Sequence, residues 1–398
     1  MNRQLTDYKK EMQEELDNIL HYWAAHAVDE KYGGFAGRLN NENEADELAP
    51  KGSVLNSRIL WSFSAGYHVT GNPLFLQMAE RAYKYLVSHF TDPEFGGVYW
   101  TVDYKGKPLD AKKQIYAIAF AVYGLSEYVI ASGDDNARAQ AVALYQSIML
   151  HSYDPVYGGY LEALGRDWKE LDDLRLSEKD ANEKKTMNTH LHVLEAFANL
   201  YRIWPDKSLY HNIKDLLEVF TSHIVDAQTG HLLLFFDERW NAKARTVSYG
   251  HDIEASWLLL EAALIIDDKQ LVDMLKPVCL RMADAASRGL DADGGLWYEY
   301  EPETGHLVHE KHWWPQAEAM VGFMNAWELS GEDHFLHRSL ASWDFSKRHL
   351  LDKTNGEWFW GVDENDQLMP GQDKVGLWKC PYHNSRACIE IIKRINER

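Results

Sequence analysis

A glycine turn recurs six times along the 398-residue chain, and its period constrains the fold more than any other feature. It reads YGGFAG at Gly33, FGGVYW at Gly96, YGGYLE at Gly158, TGHLLL at Gly230, DGGLWY at Gly294 and NGEWFW at Gly356. Successive glycines stand 63, 62, 72, 64 and 62 residues apart. Glycine supplies the positive-φ turn, and the apolar residues that follow suit a short extended stretch. Between the turns the periodicity is helical. Val54, Leu55, Ile59, Leu60, Phe63 and Tyr67 repeat at three- and four-residue steps, and similar patterns cover 115–129, 187–201, 253–266, 317–327 and 385–395. A more polar helix fills the other half of most repeats, as at 73–90 and 209–224. Six helical hairpins without a Pro/Gly/Ser-rich linker predict an all-α chain. The expected architecture is a single domain over residues 1–398, an (α/α)6 barrel with the apolar helices inside. An open solenoid would need polar caps, whereas here the terminal units resemble the middle ones. A multi-domain helical protein is the lesser alternative.

Charge narrows the partners. Lys+Arg number 41 against 61 Asp+Glu, a formal charge of −20. Nucleic acid and anionic membrane surfaces call for a basic footprint, so neither is expected and a neutral ligand fits best. Three cysteines, Cys279, Cys380 and Cys388, form no CxxC pair. That usage suits a reduced, cytoplasmic protein. The charged N-terminus does not read as a secretory leader. The apolar run Ile115 to Leu125 is too short for a membrane span and reads as a buried helix.

A closed helical barrel gathers helix ends and loops around a cavity, so polar residues that interrupt the apolar helices are the candidates. Arg58 needs a partner or a polar cavity, with a structural salt bridge as the competing reading. Asn188 and His192 share a helix face, whereas His190 points elsewhere, so these histidines make a poor chelating pair. His192 taken alone reads first as a structural histidine. His251, Glu254 and Trp257 fall at three-residue steps near a helix start, where a carboxylate could fix the imidazole tautomer; a buried ion pair is the rival reading. Trp313, Trp314 and Glu318 open the next inner helix, and Trp378, Tyr382, His383, Asn384 and Arg386 the last. Indole faces stack on sugar C–H surfaces while Arg, Asn, His and Glu bond hydroxyls. HEKH at His309 to His312 lacks the HExxH spacing, and no GxGxxG, P-loop or GxSxG motif occurs. No metal site is expected.

The segments NSRILWSFSAGY, GGVYWTVDYKGKP, IYAIAFAVY, KTMNTHLHVLEAF, SYGHDIEASWLL, WWPQAEAMVGF and WKCPYHNSRAC together resemble the cellobiose 2-epimerase branch of the N-acylglucosamine 2-epimerase superfamily, in order and over the whole length. The resemblance implies an (α/α)6 barrel that inverts C2 of the reducing-end sugar in β-1,4-linked disaccharides, without metal or nucleotide cofactor. It implies His251 and His383 as general acid/base residues, and Arg58, His192, Glu254, Trp257, Trp314, Glu318 and Trp378 as essential or substrate-binding. Tyr116 and Asn188 match further substrate contacts. Ala117 and His190 depart from the pattern and bear on substrate preference. The implied partner is a neutral β-1,4-linked oligosaccharide, and a monomer is expected, with a homodimer as the alternative. Rival functions are an N-acylglucosamine or mannose 2-epimerase, an aldose–ketose isomerase, a glycoside hydrolase using Glu254 and Glu318, and a noncatalytic sugar-binding protein.

Overall fold

The computed structural model describes residues 2–397. Its twelve α-helices are α1 (Asn2–His26), α2 (Ser53–Thr70), α3 (Pro73–Tyr85), α4 (Ile115–Ser132), α5 (Asp135–His151) and α6 (Met187–Ile203), then α7 (Lys207–Val219), α8 (Tyr249–Ile265), α9 (Lys269–Ala286), α10 (Trp313–Ser330), α11 (Asp333–His349) and α12 (Tyr382–Asn396). The even-numbered helices pack on one another in chain order, and α12 returns to α2, which closes the inner ring. The odd-numbered helices lie outside, and α1 covers α12, so the first helix completes the last hairpin. This is an (α/α)6 barrel.

The sequence explains which helix goes where. Inner helices such as α4, IYAIAFAVYGLSEYVIAS, are apolar on all sides and almost wholly buried. That helix has the length and apolarity of a membrane span, yet 83% of it is buried against its neighbours. Outer helices such as α7 bury one stripe, Leu209, Ile213, Leu216 and Leu217. Close packing of the ring requires small residues at its seams. A Cβ on Gly322 of α10 would stand 2.6 Å from the carbonyl oxygen of Ile253 on α8.

The inner helices begin at the same end of the barrel, and α2, α4, α6, α8 and α10 each start behind a short strand paired with the following repeat. Lys51 pairs with Val102, Lys113 with Leu164, Lys185 with Phe236, Val247 with Tyr300 and Lys311 with Val362. A Leu39–Val375 bridge joins the first repeat to the last. Those lysines are buried and reach the aspartate of a glycine turn: Lys51–Asp29 at 2.7 Å, Lys113–Asp92 at 2.9 Å, Lys185–Asp154 at 2.8 Å and Lys311–Asp291 at 2.8 Å. Lys374–Asp352 at 2.5 Å makes the fifth such pin. The fourth repeat has Val247 at the lysine position and substitutes a His231–Asp252 contact of 2.6 Å. A long connection at this end, residues 165–184, is tied down by the Gln114 side chain, which donates to the carbonyls of Leu174 and Arg175.

Candidate active site

The starts of the inner helices converge on the barrel axis, and so do the residues singled out above. His251 stands in the first turn of α8, Trp314 in that of α10 and His383 in that of α12. The Trp314 ring lies between the two histidines, with centroids 4.7 Å from His251 and 5.6 Å from His383. Across from them, Arg58 of α2 donates to the Tyr116 hydroxyl at 2.7 Å. The Tyr116 ring meets His192 edge-on at 5.0 Å and Trp378 at 6.0 Å. Asn188 lies one turn before His192, with Oδ1 buried and without a protein partner among the described residues. A cavity of about 300 Å3 bounded by Gly37, Arg38, Trp360, Gln372 and Trp378 adjoins the group.

Beneath the histidines lies a network that sequence reasoning did not anticipate. Arg386, fully buried, donates through one nitrogen to Glu254 at 2.7 Å and to Glu318 at 2.6 Å, and through the other to Glu195 and the Tyr382 hydroxyl. Tyr382 also bonds Glu195. Two of those glutamates carry a histidine: His383 Nδ1 bonds Glu318 at 2.7 Å, and His192 Nδ1 bonds Glu195 at 2.9 Å. A carboxylate on Nδ1 fixes the tautomer and leaves Nε2 as the free nitrogen of the neutral ring. His251 differs, because its Nδ1 bonds the Ser248 hydroxyl at 2.8 Å.

Burial and charge decide the protonation states. Burial, reinforced by His192, pushes His251 down to about 3. Burial together with the Arg58 and Arg386 charges holds His383 well below the usual imidazole value. His192 is also lowered by burial, which outweighs Glu195. All three rings are therefore neutral near neutral pH. Burial opposes the charge on Glu195, but Arg386 and the His192 hydrogen bond overcome it and leave that carboxyl at about 2. Burial and the neighbouring Glu318 push Glu254 up to about 8, so it keeps its proton at neutral pH. One guanidinium thus neutralises the ionised members of a three-glutamate cluster.

Arg58 has no carboxylate within ion-pair range among the described residues, so the salt-bridge reading does not hold for it; its guanidinium lies over the Phe120 ring at 4.2 Å. Helix starts aimed at the same cavity add partial positive charge. The site is therefore set up to receive a developing anion.

Two expectations need correction. Glu254 does not orient His251: it is drawn to Arg386, a charged donor that outcompetes an imidazole, and Ser248 takes the histidine. Trp257 has no open face for a sugar, being 1% exposed, with its indole N–H on Glu318 and the Arg386 guanidinium over its ring at 4.8 Å. It supports the floor of the site. His190, with Nε2 accepting the Tyr160 N–H and Nδ1 on the Thr186 carbonyl, anchors a turn away from the cavity. Of the residues missed, Glu195 had a signal in its three-residue step from His192. Ser248 had a weaker one as a helix-entry serine.

Glu254, Glu318 and His383 bring donor atoms within 4.8 Å of one another, the spacing of a metal site. Arg386 already bonds both carboxylates, however, and its fixed charge opposes a divalent cation there. Asp293, His349 and Asp366 form a second such group near the surface, where Lys311 reaches Asp293 at 2.7 Å.

Comparison with known proteins agrees with this architecture. A cellobiose 2-epimerase of Bacteroides fragilis is 52% identical over 385 residues, covering 96% of this chain and 98% of that protein. One from Dictyoglomus turgidum is 40% identical, covering 97% and 98%. The solved structure of cellobiose 2-epimerase from Spirochaeta thermophila superimposes with a TM-score of 0.93 at 37% identity, covering 99% of this chain and 98% of that one. The N-acylglucosamine 2-epimerase (GlcNAc 2-epimerase) family profile matches residues 33–387. The chain belongs to the N-acylglucosamine 2-epimerase family.

Proposed function

We propose that the protein inverts C2 of the reducing-end sugar in β-1,4-linked disaccharides, converting cellobiose to glucosyl-mannose or mannobiose to mannosyl-glucose, without metal or nucleotide cofactor. The observation that carries this reading is the pair of neutral histidines, His251 and His383, on either side of Trp314, each bonded through Nδ1 and each with Nε2 free of protein partners among the described residues.

The chemistry follows from the substrate. A sugar C2–H is acidic only beside the open-chain C1 aldehyde, so the ring opens before the proton leaves. One neutral histidine takes the C2 proton and becomes imidazolium. The enediolate carries negative charge on O1 and O2, and Arg58, buried without a carboxylate partner, is the group to stabilise it. The second histidine, or the first after rotation about C2–C3, returns a proton to the opposite face, and ring closure completes the inversion. Glu318 holds His383, and Glu195 holds His192 at the wall of the site. Trp314 and Trp378 offer ring faces to the sugars, and the cavity beside Trp378 has room for the distal ring. Three buried free cysteines suit a reducing, cytoplasmic setting.

The hydrolase alternative is opposed by geometry. A retaining pair stands about 5–5.5 Å apart with the glycosidic bond between, whereas Glu254 and Glu318 share one nitrogen of Arg386 and leave no room for a sugar between them. Proton NMR of cellobiose with the protein in D2O tests the proposal. Glucosyl-mannose carrying deuterium at C2 is the expected product. Label at C1 of a ketose would identify an isomerase instead, and free glucose a hydrolase.

A further inference from the structure

We propose that Ser248 is the positioning residue of His251, and that its hydroxyl, able to donate or accept, sets His251 apart from His383 by allowing it both neutral tautomers. The inference rests on the epimerase reading and assigns the control of one of its two proton-transfer groups.

Ser248 occupies the N-cap of α8, where a serine hydroxyl ordinarily accepts the backbone N–H of the second or third helical residue. Here it makes no such bond. The equivalent residue of α6, Thr186, does cap its helix, accepting the Thr189 N–H at 3.1 Å. The Ser248 hydroxyl turns instead to His251 Nδ1 at 2.8 Å, and it has no other side-chain partner among the described residues. Ser248 itself is 1% exposed. A capping interaction has been forgone for a contact with the imidazole, which points to a role beyond helix stability.

The chemistry of the partner matters. Glu318 on His383 is an acceptor only, so it holds the proton on Nδ1 and favours the imidazolium by charge. A serine hydroxyl both donates and accepts. When it accepts from Nδ1–H, His251 presents a basic Nε2 lone pair; after C2–H transfer the imidazolium keeps the same bond. When it donates to Nδ1, the neutral ring presents Nε2–H to a sugar oxygen. Ser248 therefore allows both tautomers where Glu318 allows one, and it adds no charge to stabilise the imidazolium. The charged and titratable groups that bear on His251 are His192 and Glu318, and neither bonds it.

The test compares Ser248→Ala and Ser248→Thr with the wild-type protein on cellobiose in D2O. A hydrogen bond to a group that becomes charged is worth about 1.5–3 kcal/mol, which corresponds to a loss in kcat of about 10–160-fold. The expected result is that loss for Ser248→Ala with KM changed by less than about threefold, and recovery to within a few-fold in Ser248→Thr. Because one histidine alone is impaired, C2 deuterium exchange into one epimer should persist in Ser248→Ala while conversion falls. Unchanged kcat in Ser248→Ala would overturn the proposal. So would equal losses in both variants accompanied by a lowered melting temperature, because the serine would then be structural. If the wild-type protein itself neither epimerises nor labels C2, it is the epimerase reading that fails.

Discussion

Replacing Arg386 by methionine separates the architecture of the site from its chemistry. The guanidinium is 1% exposed and bonds Glu195, Glu254 and Glu318, so its removal leaves the ionised members of that buried cluster without a counter-charge. Breaking a buried ion pair from one side costs about 3–5 kcal/mol. An unfolding entropy of about 2.1 cal/mol/K per residue gives a chain of 398 residues about 0.8 kcal/mol/K, so the cost translates to roughly 4–6 °C in apparent Tm. The sign with pH is fixed. In the wild-type protein Glu195 sits at about 2 against an ordinary 4.5, so its contribution is fully present above pH 4.5 and is lost as pH falls toward 2. Without Arg386 the same carboxyl, with burial unopposed, rises above its unfolded value. Its protonated form is then favoured in the fold, and stability declines as pH increases through the raised value. The deficit should therefore be largest at pH 8.5 and smaller at pH 5. Thermal melts followed by tryptophan fluorescence at the two pH values measure it. Equal melting temperatures at pH 8.5, or a deficit that does not change with pH, would refute the account of the cluster.

His251→Ala and His383→Ala should each lower turnover by about 10²–10⁴-fold with the melting temperature little changed, measured by product formation from cellobiose and by thermal melts. Arg58→Lys should also be severe, because an ammonium cannot span O1 and O2 as a guanidinium does; wild-type activity in that variant would remove Arg58 from the reaction. Both bases are neutral, with values lowered by burial, so kcat/KM should stay level as pH falls through 6.5 and decline only below it. A pH–rate profile that breaks at or above 6.5 would contradict this. Turnover should survive prolonged EDTA treatment and dialysis, and restoration only by an added divalent ion would count against the proton-transfer mechanism.

The barrel and the cavity residues were legible in the sequence for a simple reason. The glycine turns repeat, and inner helices such as α4 are apolar throughout, so period and placement come from local pattern. The histidines and tryptophans were legible because they interrupt that pattern at helix starts. The wiring between them was not. Arg386 meets Glu195, Glu254 and Glu318 across 191, 132 and 68 positions of chain, and no local spacing encodes such contacts. The pairing of His251 with Glu254 was inferred from a three-residue step, which places two side chains on one face but says nothing of stronger competitors. Arg386 and Ser248 were those competitors. The lysine pins had a signal that went unread, a lysine shortly before most inner helices and an aspartate ahead of most glycine turns.

Those pins have a consequence for how the protein can change. Each fastens the entry of an inner helix to a turn of the rigid wall, so the helix start does not depend on the connecting segment for its place. The connections, from the tight hairpin around Gly106 to the long excursion over residues 165–184, are free to lengthen, shorten or change composition while His251, Trp314 and His383 keep their geometry. The proton-transfer groups are thus held by parts of the chain separable from the connections. Exchange of a mouth segment between relatives should alter which sugar is accepted without rebuilding the acid–base pair. The fourth repeat is the exception, for Val247 carries no pin and its place is taken by the His231–Asp252 contact directly beside His251. There, a change of loop would reach the chemistry.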